Sequence, residues 1–134
     1  MAKKYVHTTG RRKTSVARAT MHKGSGKITV NNEDADSYAG NELLILRLKE
    51  PLKITGSEGK YDIKVNVFGG GVNSQVDAIR QAIARGIVEM TDKEDIKKEI
   101  LEYDRTLLVS DARLKEMNKP NNSNPRAKRQ KSYR

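Results

Sequence analysis

At 134 residues, with 35% apolar residues, 4% aromatics, no Trp and no Cys, the chain has room for one modest aliphatic core and excludes disulfides, thiolate metal sites and a cysteine nucleophile. The opening "MAKKYVHTTG" lacks the apolar stretch of a signal peptide, and no apolar run of about 18 residues occurs, so a soluble, unprocessed chain in a reducing compartment is predicted. The net charge of +10 sits at the ends: eight Lys/Arg and no acid in residues 1–27, eleven against fifteen acids in 28–109, and eight against two in 110–134.

Taken in chain order, an opening strand is expected around Tyr5–Thr8, followed by a tight turn at "GRRK" (10–13). "KTSVARATMH" (13–22) alternates, with Ala17, Ala19 and Met21 on one face and Arg18, Thr20 and His22 on the other, as a half-buried strand requires. "KGSGK" then reads as a turn and "KITVN" as a second strand, which together predict a hairpin. "NELLILRLKE" (41–50) reads as a helix stopped by Pro51. In "YDIKVNVF", Tyr61, Ile63, Val65 and Val67 share the face of a strand. After three glycines, Val72, Val76, Ile79, Ile83, Ile87 and Met90 form one apolar helical stripe. "TDKE" (91–94) matches a capping box with Thr91 as N-cap, ahead of a helix carrying Ile96, Ile100 and Tyr103. From Ser110 the periodicity fails, and two prolines, four asparagines and no apolar run predict an extension without a core. The expected architecture is α+β, a small mixed sheet with helices packed on one face. Residues 1–109 form the globular body, and residues 110–134 an extended basic tail.

The charge segregation predicts a polyanionic partner. Nucleic acid is expected rather than a membrane surface, because neither end reads as an amphipathic helix with large apolar anchors. "GRRKTSVAR" (10–18) concentrates Arg11, Arg12, Lys13 and Arg18 at a turn and along an outer strand face. Such residues suit phosphate contact better than base reading, and the bland alternative is a solvated turn. Gly69, Gly70 and Gly71 lie between a strand and a helix, where backbone N–H groups and the helix dipole favour an anion. No Walker or dinucleotide pattern accompanies them, so neither a nucleotide cofactor nor a small-molecule substrate is expected. Spacing leaves a ligand-free corner and an RNA-backbone contact both open, and Asn73, Ser74 and Gln75 favour RNA. The tail end "NPRAKRQKSYR" reads either as a solubilising or import segment or as a strand of chain that folds along RNA, with Tyr133 available to stack on a base. His7 and His22 are distant in sequence and no nucleophile–base pair can be named, so no enzyme is expected.

"GGGVNSQVDAIRQAIARG" resembles the signature of ribosomal protein nine of the small subunit, in its bacterial form: Gly69–Gly71, Ser74, Gln75, Ala78, Ala82, Ala84, Arg85 and Gly86 occupy its positions. "TGRRKTSVAR", "GSGKITVN", "PLKITGSEGKYDIKVNV" and "SDAR" extend the likeness over nearly the whole chain. The resemblance implies a fold like the second domain of ribosomal protein five and a place in the head of the small subunit, cytoplasmic or else in an organellar ribosome. It implies contact with the 3′ major domain of the rRNA and with neighbouring head proteins. By position, rRNA contacts would fall on Arg11, Arg12, Lys13, Arg18, Gly69–Gly71, Asn73, Ser74, Gln75, Arg80 and Arg85 in the body. In the tail they would fall on Arg113, Lys115, Lys119, Arg126, Lys128 and Arg129. The last residues, Lys131, Tyr133 and Arg134, would touch the peptidyl-site tRNA. Lys131 stands where that pattern commonly has an aromatic, and Tyr133 where it commonly has Lys.

Overall fold

The structure, a computed structural model, describes residues 5–134. Strands β1 (Tyr5–Arg12), β2 (Ser15–Lys23), β3 (Ile28–Val30), β4 (Glu33–Asp34) and β5 (Tyr61–Phe68) form one mixed sheet in the order β1-β2-β5-β3-β4. Helices α1 (Ala35–Ala39) and α2 (Glu42–Ile54) precede β5, and α3 (Val72–Thr91), α4 (Glu94–Tyr103) and a 3-10 turn (Arg105–Leu107) follow it. Alternation buries Val6 and sends Ala17, Ala19, Met21, Val30, Ile63, Val65 and Val67 to one face, where they meet Val76, Ile79, Ile83 and Ile87 of α3. The helices therefore cover a single face of an α+β sheet, as the alternation predicts. A smaller cluster of Ala84, Ile100 and Leu107 packs α4 and the 3-10 turn behind α3, so α3 is buried on two sides rather than along one stripe.

Five sequence-based expectations are corrected. β2 and β3 do not form a hairpin: β5 lies between them, antiparallel to β2 and parallel to β3, with Met21 and Ile28 both opposite Ile63. The parallel pair needs a crossover, which residues 31–60 supply through α1 and α2. β1 runs on through Gly10, Arg11 and Arg12 to a turn at Lys13 and Thr14, because Gly10↔Ala17 and Arg12↔Ser15 continue the ladder. Pro51 does not stop α2, which continues to Ile54 because Leu48, Pro51 and Leu52 are all buried against the core; burial offsets the hydrogen bond that proline cannot donate. Thr91 caps nothing: it ends α3, and its hydroxyl donates to the Ile87 carbonyl at 2.6 Å, while Lys93 is the N-cap of α4. Val72 and Tyr103, placed on apolar stripes by periodicity, are exposed.

The segment expected to be a hairpin turn instead crosses the end of β5, held by one carboxylate. Asp62 Oδ1 accepts from the backbone N–H groups of Ser25, Gly26 and Lys27 at 2.8, 2.9 and 2.9 Å. These bonds, that from Lys27 first, hold the Asp62 carboxyl below its ordinary range despite partial desolvation. A carboxylate with a lowered folded pKa stabilises the fold above its unfolded pKa and loses that contribution as pH falls through the folded value. Asp62→Asn is therefore expected to melt below wild type from neutral pH down to about pH 5, with the gap closing on further acidification. Thermal melts between pH 2 and 7 check this, and a gap independent of pH would show that the carboxylate charge is not what holds the loop.

Candidate nucleic-acid interface

Only two of the three glycines are demanded by the fold. Gly69 and Gly70 have φ of +77° and +65°, and a Cβ on either would strike Thr14 O at 2.4 Å or Ser15 Oγ at 2.3 Å. The corner is then latched from both sides. Ser15 Oγ donates to Gly69 O at 2.8 Å and meets Ser74 Oγ at 2.8 Å, and Gln75 Nε2 donates to Gly69 O at 3.0 Å. Tyr38 donates its hydroxyl hydrogen to Gln75 Oε1, fixing the amide. Gly71 is different: its backbone is extended, it is the N-cap of α3, and nothing lies within 4 Å of the position a Cβ would take. Lys13, Thr14, Gly70, Gly71, Val72, Asn73 and Ser74 line a shallow depression between the β1–β2 turn and the start of α3.

The expected contact residues divide by the direction they face. Arg11, Lys13, Arg18 and Asn73 are exposed, and among the described residues none of the three cations forms an ion pair. Lys13 sits at the turn with φ +52°, and the Arg18 guanidinium lies 5.7 Å over the exposed ring of Phe68, next to the glycines. Ser74 and Gln75 face inward to hold the corner. Arg80 and Arg85 also turn inward, against the expectation that they face RNA. Arg80 pairs with Glu50 at 3.0 Å and with Asp104. Burial pushes the Asp104 carboxyl up, but hydrogen bonds from Thr106 and the Arg80 charge outweigh it and leave the pKa lowered. Arg85 donates to Thr9 O at 2.6 Å, twice to Leu108 O at 3.1 and 2.9 Å, and to Ser110 Oγ at 2.9 Å. Arg12 is half-buried, paired with Asp111 and 3.8 Å from Asp77.

The root of the basic tail meets the basic β1–β2 turn at this end of the sheet, where Arg12 pairs with Asp111. From Ser110 to Arg134 there is neither helix nor strand, and Lys115, Lys119, Lys128, Arg129, Lys131, Tyr133 and Arg134 are exposed. Arg113 pairs with Asp111 and Arg126 with Glu116. Beside the root of the tail, Arg11, Arg12, Arg47, Arg80 and Arg113 line a cleft with Asp77, Asp104 and Asp111. Sequence reasoning missed Arg47, which lies 3.5 Å from Asp77, because it sits in an apolar helix away from either basic cluster. It also missed Gln81, which is 4% exposed and accepts from Arg11 N–H at 2.8 Å while donating to Thr106 O and Val109 O at 3.0 and 3.1 Å. A polar residue inside an apolar helical run was the available signal.

His22 Nε2 lies 3.8 Å from Asp62, an acidic neighbour that sequence distance concealed, but both groups are open to solvent. Among the described residues, no group of three or more His, Asp or Glu side chains is placed to hold a metal ion, and no helix is long and apolar enough to cross a membrane.

The family model described as ribosomal protein S9/S16 matches residues 10–134, from the last third of β1 to the end of the tail. The chain is 48% identical over 134 residues to a protein of Methanococcus maripaludis named small ribosomal subunit protein uS9, covering 98% of this chain and 99% of the relative. Proteins of the same name from Methanococcus vannielii and Thermoplasma volcanium are each 48% identical over 134 and 131 residues, covering 98% and 97% of this chain and 99% and 98% of their own lengths. These relatives are archaeal, which overturns the expectation of a bacterial form. The tail already departs from the bacterial pattern at Lys131 and Tyr133. The chain belongs to the ribosomal protein S9/S16 family, a family of structural ribosomal components and not of enzymes.

Proposed function

We propose that the chain is a cytoplasmic structural constituent of the small ribosomal subunit, binding rRNA of the head through the β1–β2 turn and the glycine corner, beside other head proteins. Arg11, Lys13 and Arg18 neutralise phosphates, and Gly71 with Asn73 lets the RNA backbone approach the α3 N-terminus. The body ends at residue 109, and the tail from 110 runs along rRNA through Arg113, Lys115, Lys119, Arg126, Lys128 and Arg129. It brings Lys131, Tyr133 and Arg134 to the peptidyl-site tRNA. The observation that carries this reading is the meeting of the basic β1–β2 turn with the root of the basic tail, beside a corner whose third glycine the fold itself does not require.

Gly71→Asp separates folding from binding. Aspartate is a favoured N-cap and the site is open, so the variant is expected to melt at or above wild type. Its carboxylate would face the phosphate backbone, so on a salt-stepped gradient of lysate it is expected to leave the small subunit at lower salt than wild type. Wild type found mainly at the top of the gradient at moderate salt would overturn the ribosomal assignment. A Gly71→Asp chain that sediments like wild type at every salt would remove the corner from the RNA interface.

A further inference from the structure

The last buried apolar side chain before the tail is Leu107. Beyond it, Leu108 is half-buried and Val109 and Ser110 are exposed, so apolar packing does not set the direction in which the tail departs. Polar groups on α3 and β1 do. Gln81 Nε2 donates to Thr106 O and Val109 O, and its own carbonyl takes the Arg11 N–H, so its amide hydrogens and oxygen are all engaged. One turn along α3, Arg85 directs four of its five donors to Leu108 O, Ser110 Oγ and Thr9 O. Arg12 closes the set by pairing with Asp111. Four consecutive residues, 108–111, are thereby tied to the strand that ends at the basic turn, and among the described residues the side-chain bonds of Arg113 and Arg126 run to Asp111 and Glu116 within the tail rather than to the body. The 23 residues beyond Asp111 reach roughly 75 Å when extended, so a tilt at this root is magnified at the far end.

We propose that Arg85 and Gln81 are positioning residues that fix the launch direction of the basic tail, and that Arg85 influences RNA only through that tail. The inference rests on the tail–tRNA reading for its consequence but not for its geometry, and the two are tested separately. The chain has no Cys, so nitroxide labels on Lys64→Cys, on the outer face of β5, and Ala112→Cys, directly after the anchored segment, report the root alone. In the free full-length chain the distance distribution is expected to be narrow with wild-type residues at 81 and 85. It should broaden with Arg85→Met and broaden less with Arg85→Lys, which keeps the charge but offers a single ammonium to carbonyls in several directions. Gln81→Leu is the second variant. Should it fail to fold, Arg85→Met decides alone, since that side chain lies at the edge of the core. An unchanged distribution in a folded Arg85→Met chain overturns the proposal.

In assembled subunits, Arg85→Met is expected to weaken peptidyl-site tRNA binding about tenfold, the worth of one misplaced charge-assisted contact. It should have no further effect when Lys131→Ala and Arg134→Ala are already present. Independent, additive losses would mean that Arg85 does not act through the tail. If the Lys131/Arg134 pair is itself without effect on tRNA, the tail–tRNA reading fails while the distance measurement still judges the clamp.

Discussion

Gly10→Ala is expected to cost at least about 3 kcal/mol, at the upper end of overpacking penalties, or to prevent folding. A Cβ at position 10 would lie 2.0 Å from Ala78 O and 2.7 Å from Ala82 N, both backbone atoms of α3 that cannot rotate away. β1 and the central helix are joined nearby by Thr8, whose buried hydroxyl donates to Ala82 O at 2.8 Å. Relief would require lifting β1 from α3, which would also break the Thr8 bond to Ala82. Urea unfolding monitored by far-UV circular dichroism checks the prediction. Gly40→Ala is the control: its φ of +62° makes alanine costly by about 1 kcal/mol, but nothing lies within 4 Å of the new methyl group. Gly10→Ala within about 1 kcal/mol of wild type would mean that β1 and α3 are not in backbone contact there.

What the sequence revealed and what it concealed divide along the range of the interactions concerned. β5 and α3 were legible because their periodicities, two for Ile63, Val65 and Val67 and near 3.6 for Val76, Ile79 and Ile83, are local properties of the chain. The β2–β3 hairpin was misjudged because the strand that separates them arrives more than thirty residues later, and because the agent that rules out the turn is Asp62, remote from the "KGSGK" segment it binds. Pro51 and Thr91 are cases of the same kind. Local rules favour a break and a cap, and burial of Leu52 and continuation of the α3 core override them. α1, five residues long, is too short to show a period at all.

The candidate site follows that division. Charge density directs attention to the two ends of the chain, but composition carries no information on which way a guanidinium points. Arg11 and Arg12 are neighbours on a strand, so one faces solvent and the other is drawn toward Asp77 and Asp111. Ser74 and Gln75, expected to offer polar donors to RNA, are occupied in latching Gly69. α3 is buried on two sides, and the second, formed only when α4 and the 3-10 turn pack behind it, is invisible in a single-stripe reading. That second face is where Arg80, Gln81 and Arg85 are held.

Arg80→Met is expected to destabilise the fold by about 3 kcal/mol at neutral pH, toward the lower end for a broken buried pair because both partner carboxylates retain some solvent. Glu50 Oε2 is enclosed without a hydrogen bond, so the guanidinium 3.0 Å away is what compensates its charge. Asp104 depends on the same group together with Thr106, whose hydroxyl and N–H both bond to it at 2.7 and 2.8 Å. Removing Arg80 leaves two anions facing each other between α2 and the 3-10 turn. The sign of the pH dependence follows from the lowered pKa of Asp104. Its stabilising contribution is present above the unfolded carboxylate pKa and disappears as pH falls through the folded value. The gap between wild type and Arg80→Met should therefore be widest near neutrality and shrink below about pH 4, where protonation removes the repulsion that the mutation exposes. Adding Glu50→Gln and Asp104→Asn to Arg80→Met should recover much of the loss at pH 7. Chemical denaturation of the three chains across pH tests all of this in one series. If Arg80→Met matches wild type at pH 7 and instead releases the protein from the small subunit at lower salt, the guanidinium belongs to the RNA interface, and the ion pairs with Glu50 and Asp104 are only its resting place.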